Sequence, residues 1–296
     1  MDFKELTKQA VQAALEAGRL IQSYRDRKVE VLHKSGGDTL ASQVVTEVDQ
    51  KAQDAILQIL QPTCREFDIA LLTEESEDDR SRFNKELFGC IDPMDGTLSF
   101  VEGRPGYSVS IGLVTKEGSP HIGVVYDPVE EVLYQATKGQ GVRRNGEIWT
   151  PGATEDELTF TYDRSLTQHP AYAQILAQLE SYAHSRGWKR LVATQHGGSV
   201  MNACFALEKA PGCHFKFPKP QEGGGSLWDY AATACLYQEA GAIASDVHGK
   251  PLDLNRPDST FMNHRGVLYA TDRALAQTIQ EIIANHHQDS TTSVQQ

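Results

Sequence analysis

Between residues 107 and 148 apolar residues alternate with small or polar ones through four segments, "YSVSIGLV", "HIGVVYD", "EVLYQAT" and "GVRRNGEIW". A period of two fits a strand, and Gly118, Pro128 and an Asn145-Gly146 turn separate the segments, so the spacing predicts an antiparallel meander. Helical spacing precedes it. "MDFKELTKQAVQAALEAGRLI" sets Leu6, Ala10, Ala13, Ala17, Leu20 and Ile21 along one face, and "TEVDQKAQDAILQIL" does so with Val48, Ala52, Ile56, Ile59 and Leu60. Thr46 reads as the N-cap of this second helix, which puts Asp49 in its first turn. Short apolar strands follow at 69–73 and 88–91. Each ends in acid: Glu74 and Glu75 after the first, Asp92 after the second.

Beyond "TPGATEDE" (150–157), strands and helices alternate. Strands are expected at 158–162, 190–194, 213–217, 241–246 and 267–270. Helices are expected at 170–185, 199–209 and 228–239, and from about 272. The chain therefore divides into an α+β half over 1–155, an α/β half over 156–285 and a polar, frayed tail over 286–296 that includes His286 and His287. No internal repeat is present.

Composition removes several functions. The 296 residues carry a formal charge of -12, the opposite of the basic stripe that a nucleic acid polymer requires. Five scattered cysteines without a C-x-x-C pair suggest neither a disulfide framework nor a zinc ribbon and point to a reducing cytoplasm. The N-terminal segment mixes charges into its helix, unlike a signal peptide. No run approaches the roughly 20 apolar residues of a membrane span. There is no G-x-S-x-G, H-E-x-x-H or Walker loop, and "GQGVRRNG" lacks the strand-to-helix setting of a dinucleotide fingerprint.

Four acidic segments remain to be explained: Asp49, the pair Glu74 and Glu75, the pair Asp92 and Asp95, and Asp229 in "GGGSLWDYAATA". Each has a structural reading. "IDPMDG" can be a tight turn, Glu75 to Asp79 a solvated loop, and Asp229 the partner of Ser226 in a capping box. Together they suit hard divalent cations, which take oxygen ligands and, when paired, need a bridging carboxylate. The spacing Asp-Pro-x-Asp lets a proline-stiffened turn aim both carboxylates at one place, with the Met94 carbonyl between them. Gly96 and Thr97 would then offer backbone N–H groups to a phosphate at the start of a helical turn.

"IDPMDGTLSF" resembles the signature of the inositol monophosphatase family, the magnesium-dependent, lithium-sensitive phosphatases. "LWDYAATACLYQEAGA" resembles that family's second signature, W-D-x-A-A followed by E-A-G, and "TEES" and "VVTEVDQKA" fall in the expected order. The similarity runs from about residue 5 to about residue 285. It implies an α/β fold, a layered αβαβα sandwich of the inositol monophosphatase and fructose-1,6-bisphosphatase type, with the site between the halves. It implies two to three Mg2+ ions: Glu74, Asp92 and the Met94 carbonyl at the first, and Asp92, Asp95 and Asp229 at the second. Glu74 and a Thr97–Asp49 pair would orient the attacking water. Asp95, Gly96, Thr97 and Ser199 would contact the substrate.

Glu222, seven residues before Asp229, matches the family glutamate that accepts hydrogen bonds from inositol hydroxyls, although three glycines follow it here and suggest a looser loop. Lys216 and Lys219 in "CHFKFPKP" are either surface lysines or partners for a second phosphate. The expected function is hydrolysis of a small phosphate ester, inositol monophosphate or a similar polyol phosphate, by a cytoplasmic enzyme that is a homodimer in family fashion. Two alternatives stand beside it: a 3'(2'),5'-bisphosphate nucleotidase, and a non-catalytic phosphate- or metal-binding regulator.

Overall fold

Alternation and helical spacing resolve into two sheets and the helices that cover them. The computed structural model describes residues 2–27, 29–33, 44–152 and 156–287. Residues 153–155 of the expected boundary and residues 288–296 of the expected tail lie outside the described residues.

Helix α1 (Phe3–Ser23) starts at Asp2, whose carboxylate accepts the Lys4 N–H at 2.9 Å. Strand β1 (Val31–His33) pairs antiparallel with β2 (Val44–Thr46), which runs directly into helix α2 (Glu47–Glu66). The larger sheet has seven strands in sequence order: β3 (Ala70–Thr73), β4 (Leu87–Asp95), β5 (Ser108–Thr115), β6 (Pro120–Asp127), β7 (Val132–Thr137), β8 (Val142–Arg144) and β9 (Glu147–Ile148). Only β3 and β4 run parallel, and β5 to β9 form the antiparallel meander. Its last turn holds Asn145 and Gly146 at φ 50° and 84°, the positive values a two-residue hairpin turn requires. Between β4 and β5 lies the five-residue helix α3 (Thr97–Val101).

The second sheet has five strands in the order β11-β10-β12-β14-β13, with β10 (Glu157–Thr161), β11 (Arg190–Thr194), β12 (Gly212–Lys216), β13 (Ile243–Ser245) and β14 (Val267–Ala270). It is mixed: β10 is parallel to both neighbours, while β14 is antiparallel to β12 and β13. Helices α4 (Tyr172–Ser185), α5 (Ser199–Glu208), α6 (Leu227–Glu239) and α7 (Arg273–His287) complete the chain.

Three apolar clusters define five layers. The first joins α1 and α2 to the seven-stranded sheet through residues such as Ile21, Ile56, Ile91 and Ile111. The second lies on that sheet's other face, where α5 and α6 fill the space below the five-stranded sheet. The third joins the far face of the smaller sheet to α4 and α7. The order is therefore α, β, α, β, α. Helix α6 is apolar around its circumference, as a helix between two sheets must be. It lies so close to the larger sheet that a Cβ on Gly123 would stand 2.2 Å from the Ala232 carbonyl. In β5, Val109, Ile111 and Leu113 face α1 and α2, but Ser108 and Ser110 are also fully buried. The small positions of the alternation thus face α6, and the Ser110 hydroxyl donates to the Trp228 carbonyl at 3.1 Å.

Two expectations need correction. Strand β4 does not stop at residue 91 but continues through Asp95. His286 and His287 belong to α7 and not to a frayed tail, and His286 is buried, with its Nε2 2.9 Å from Gln178 Oε1.

Candidate active site

The end of β4 is bulged. Asp92 pairs with Ser110 and Asp95 with Ser108, so three steps on β4 face two on β5. One extra residue in a strand returns side chains three apart to the same side. Both carboxylates therefore leave one face of the sheet, and Asp92 Oδ1 accepts the Met94 N–H at 3.0 Å, which closes the turn. The chain then passes Gly96 at φ 85° into α3.

Asp229 arrives from the opposite side, in the first turn of α6. Oxygen atoms of Asp92, Asp95 and Asp229 lie within 4.8 Å of one another. Glu74, just beyond β3, is hydrogen-bonded to Asp92 through its carboxyl and to the Ile91 carbonyl through its N–H, at 3.1 Å. Burial, then repulsion from Glu74, Asp229 and Asp95, holds the Asp92 carboxyl well above the usual carboxylate range. Burial and Asp229 raise Asp95 likewise, against hydrogen bonding from Val200 and the positive charge of Lys216. Carboxylates buried this close repel one another, and an all-oxygen donor set of this kind fits magnesium.

Asp49 stands beside this cluster in the first turn of α2. One oxygen accepts the Thr46 N–H and hydroxyl, each at 2.7 Å, and the other accepts the Thr97 hydroxyl at 2.8 Å. The Thr97 hydroxyl also lies 3.1 Å from the Met94 carbonyl. Burial pushes the Asp49 carboxyl up to about 7 although the Thr46 and Thr97 hydrogen bonds oppose the shift.

Residues 196–216, from the C-terminal half, close the other side. The Ser199 and Val200 N–H groups, at the start of α5, donate to Asp95 at 3.2 and 2.9 Å. Gly198 is what allows the approach, because a Cβ there would stand 2.2 Å from Asp95 Oδ2. Lys216, at the end of β12, is not a surface lysine: its side chain is 12% exposed, pairs with Asp163 at 2.7 Å and donates to the Ser199 hydroxyl at 2.7 Å. Burial alone would lower its pKa, but Asp163 more than offsets this and Lys216 stays protonated. Asp163 also accepts from Asn202, whose side-chain oxygen receives the His196 N–H at 3.0 Å.

The structure brings together Asp49, Glu74, Asp92, Met94, Asp95, Gly96, Thr97, Ser199, Lys216 and Asp229. It leaves Glu222 exposed, where the cation that feels its charge is Arg256. Lys219 is half-buried, and its backbone exchanges hydrogen bonds with Asn263. The glycines after Glu222 do not form a loose linker. Gly223, Gly224 and Gly225 all take positive φ, the Gly224 carbonyl accepts the Tyr230 hydroxyl at 2.5 Å, and Gly225 accepts the Met262 N–H at 2.9 Å. The acidic loop after Glu75 is structural in part, since Asp78 holds Arg82 at 2.9 Å and Asp79 accepts the Ser81 N–H.

Sequence reasoning passed over Asp163, Asn202 and Gly198. The Gly197-Gly198 pair directly before a helical segment was the available signal for the last, whereas nothing local marks the first two.

The sequence model of the inositol monophosphatase family matches residues 2–288. A Synechocystis protein named inositol-1-monophosphatase is 31% identical over 283 residues, covering 93% of this chain and 87% of that protein. The Nus factor SuhB of Escherichia coli K12 is 31% identical over 242 residues, covering 81% and 84%. Among solved structures, the extragenic suppressor protein suhB from Bartonella henselae superposes with a TM-score of 0.72 at 22% identity, over 94% of this chain and 98% of that one, so the two share a fold.

Proposed function

The chain belongs to the inositol monophosphatase family, and on that premise we propose that it is a magnesium-dependent phosphomonoesterase acting on inositol monophosphate or a similar small polyol phosphate. The observation that carries this reading is the group of carboxylates, the buried Asp92 and Asp95 and the half-buried Asp229, within 4.8 Å of one another. Their neighbour Glu74, with Asp92 and the Met94 carbonyl, would hold one Mg2+. Asp92, Asp95 and Asp229 would hold a second. Magnesium, when bound, supplies positive charge that acidifies an attacking water and stabilises the charge developing on the phosphate ester.

The protein's own groups do the rest. Thr97, its hydroxyl fixed by Asp49 at 2.8 Å, presents an oxygen that can accept a hydrogen bond from the attacking water, and Glu74 can accept the other proton. The backbone N–H groups of Gly96 and Thr97, at the start of α3, would donate to the phosphate. Ser199 supports Asp95 through its backbone N–H at 3.2 Å and would contact the substrate.

One observation favours a second reading, a nucleoside 3',5'-bisphosphate as substrate: Lys216 lies at the margin of the cluster, whereas Glu222, the expected partner of inositol hydroxyls, is exposed. Phosphate release from inositol 1-phosphate, adenosine 3',5'-bisphosphate and an aryl phosphate, with Mg2+ and with a chelator, tests both. Chelator-sensitive turnover with inositol 1-phosphate preferred supports the first. A tenfold preference in kcat/KM for the bisphosphate replaces it with the second. No hydrolysis in any arm leaves a non-catalytic regulator. In the cell the enzyme would work in the cytoplasm, as a homodimer.

A further inference from the structure

Two arginines are buried outside the acidic cluster, and their partners form a continuous path to it. Arg82, 2% exposed, donates through Nε to Asp78 and through Nη1 to Asn255 Oδ1. Both its terminal nitrogens also donate to the backbone carbonyl of Arg256, at 3.1 Å each. This ties the segment after β3, in the N-terminal half, to residues 255–256 of the C-terminal half. Arg256 is itself buried. Its guanidinium pairs with Asp258 and gives Nη1 to the Phe261 carbonyl at 2.7 Å, to Asn263 Oδ1 at 3.3 Å and to His264 Nδ1 at 3.0 Å. Residues 256–264 are thus wrapped around one planar cation.

That wrapped segment holds the chain that delivers Asp229. Asn263 exchanges backbone and side-chain hydrogen bonds with Lys219, at 2.9 and 3.1 Å. Met262 donates to the Gly225 carbonyl at 2.9 Å, Thr260 accepts the Leu227 N–H at 2.9 Å, and Ser226 and Phe261 form an isolated bridge. Residues 219–227 otherwise consist of loop and the start of α6. We infer that Arg82 and Arg256 act as one positioning unit that fixes this segment, and Asp229 with it, against the N-terminal half that carries Asp92 and Asp95. A guanidinium is suited to the task because a planar fork reaches several acceptors at fixed angles, which an ammonium does not. The inference rests on the proposed reading of Asp229 as a metal ligand.

The test uses Arg82→Lys, Arg256→Lys and the double variant, which keep the charge and lose the fork. Mn2+ binding to each substrate-free protein is followed by calorimetry and electron paramagnetic resonance, next to the melting temperature and aryl phosphate turnover. Each lysine variant should bind Mn2+ at its weaker site at least about tenfold less tightly, while kcat at saturating metal stays within threefold. The double variant should be no more than twofold worse than the worse single, as for groups acting in series. Affinities within twofold of the parent, whatever the melting temperature, overturn the inference, as do fully additive losses. If the lysine variants do not fold, Asn263→Ala removes the joint to Lys219 and leaves Arg256 its charge and its bonds to Asp258, Phe261 and His264, and a loss in Mn2+ affinity in the same direction is expected. A parent that binds Mn2+ but hydrolyses nothing refutes the phosphatase reading and leaves the inference to be decided by Mn2+ alone. A parent that binds no Mn2+ refutes both.

Discussion

The starts of α2 and α6 solve one local problem with the same chemistry and then diverge. In each, an aspartate in the third helical position accepts the backbone N–H of the cap residue: Asp49 from Thr46 at 2.7 Å, Asp229 from Ser226 at 2.8 Å. A capping carboxylate satisfies a donor that the helix leaves orphaned. Asp49 commits its second oxygen to Thr97 and feels the charge of Glu74. Asp229 turns toward Asp92 and Asp95. Capping and function are therefore not rival readings of an aspartate here. The cap fixes the side chain's angle, and the surroundings decide what it does.

Exchanging each acid for its amide should separate the two starts, and the largest effect belongs to α6. Asp229→Asn keeps an oxygen for Ser226 but removes a charged ligand, so turnover at saturating Mg2+ should fall at least about a hundredfold, roughly 2.7 kcal/mol of barrier. Because the same change relieves repulsion among buried carboxylates, the metal-free melting temperature should rise, and added Mg2+ should raise it less than in the parent. Calorimetry with and without a chelator reads both. A metal-free melting temperature that falls, with turnover within tenfold, would make Asp229 a cap and nothing more.

Asp49→Asn comes next. An amide cannot accept from Thr46 and Thr97 on both sides, so the Thr97 hydroxyl loses its charged acceptor. A hydrogen bond to a charged group is worth about 1.5–3 kcal/mol, which places the loss of turnover near thirtyfold. Its metal-free melting temperature should fall by roughly 3–6 °C, opposite in sign to Asp229→Asn. A change in turnover within threefold would detach the Thr97–Asp49 pair from the chemistry.

These two starts also show what could be read from the chain. The acids, the turn around Pro93 and both caps were legible because each is a short, local pattern with one physical cause. What covers a strand was not. Ser108 and Ser110 are buried only because α6, more than a hundred residues later, lies on them. Lys216 ends a strand that read correctly, but its burial comes from Asp163 and Ser199, each distant in sequence. Arg82 and Arg256 look like ordinary surface cations until the loops that surround them are in place. Spacing reports which face a residue takes, and only the packed fold reports what stands opposite.

The approach to the two helices differs as well. Helix α2 follows a strand directly, whereas α6 follows three glycines with φ of 138°, 74° and 79°. Gly225→Ala tests whether that approach is obligatory. A Cβ there would lie 2.3 Å from the Tyr230 hydroxyl and 2.5 Å from Asp229 Oδ2, and a left-handed backbone costs alanine about 1 kcal/mol or more. The clash displaces the very carboxylate that the loop delivers, so turnover should fall about tenfold and the melting temperature should drop. A parent-like variant would show that Asp229 is set by its cap and by α6 alone.

The smallest effect is expected at Glu222, on the same loop. Its match to a family glutamate rests on the count of seven residues to Asp229, yet the carboxylate is exposed and its charge is felt by Arg256. Water screens such a charge and competes for its hydrogen bonds. Glu222→Gln should therefore lower kcat/KM for inositol 1-phosphate by threefold or less and leave an aryl phosphate, which offers no hydroxyls, unchanged. A selective loss above tenfold would mean that the loop folds inward over a bound polyol, and the exposure seen here would then describe only the substrate-free protein. Equal losses on both substrates would instead trace to Arg256 and the segment it holds, and so would bring the effect back to Asp229.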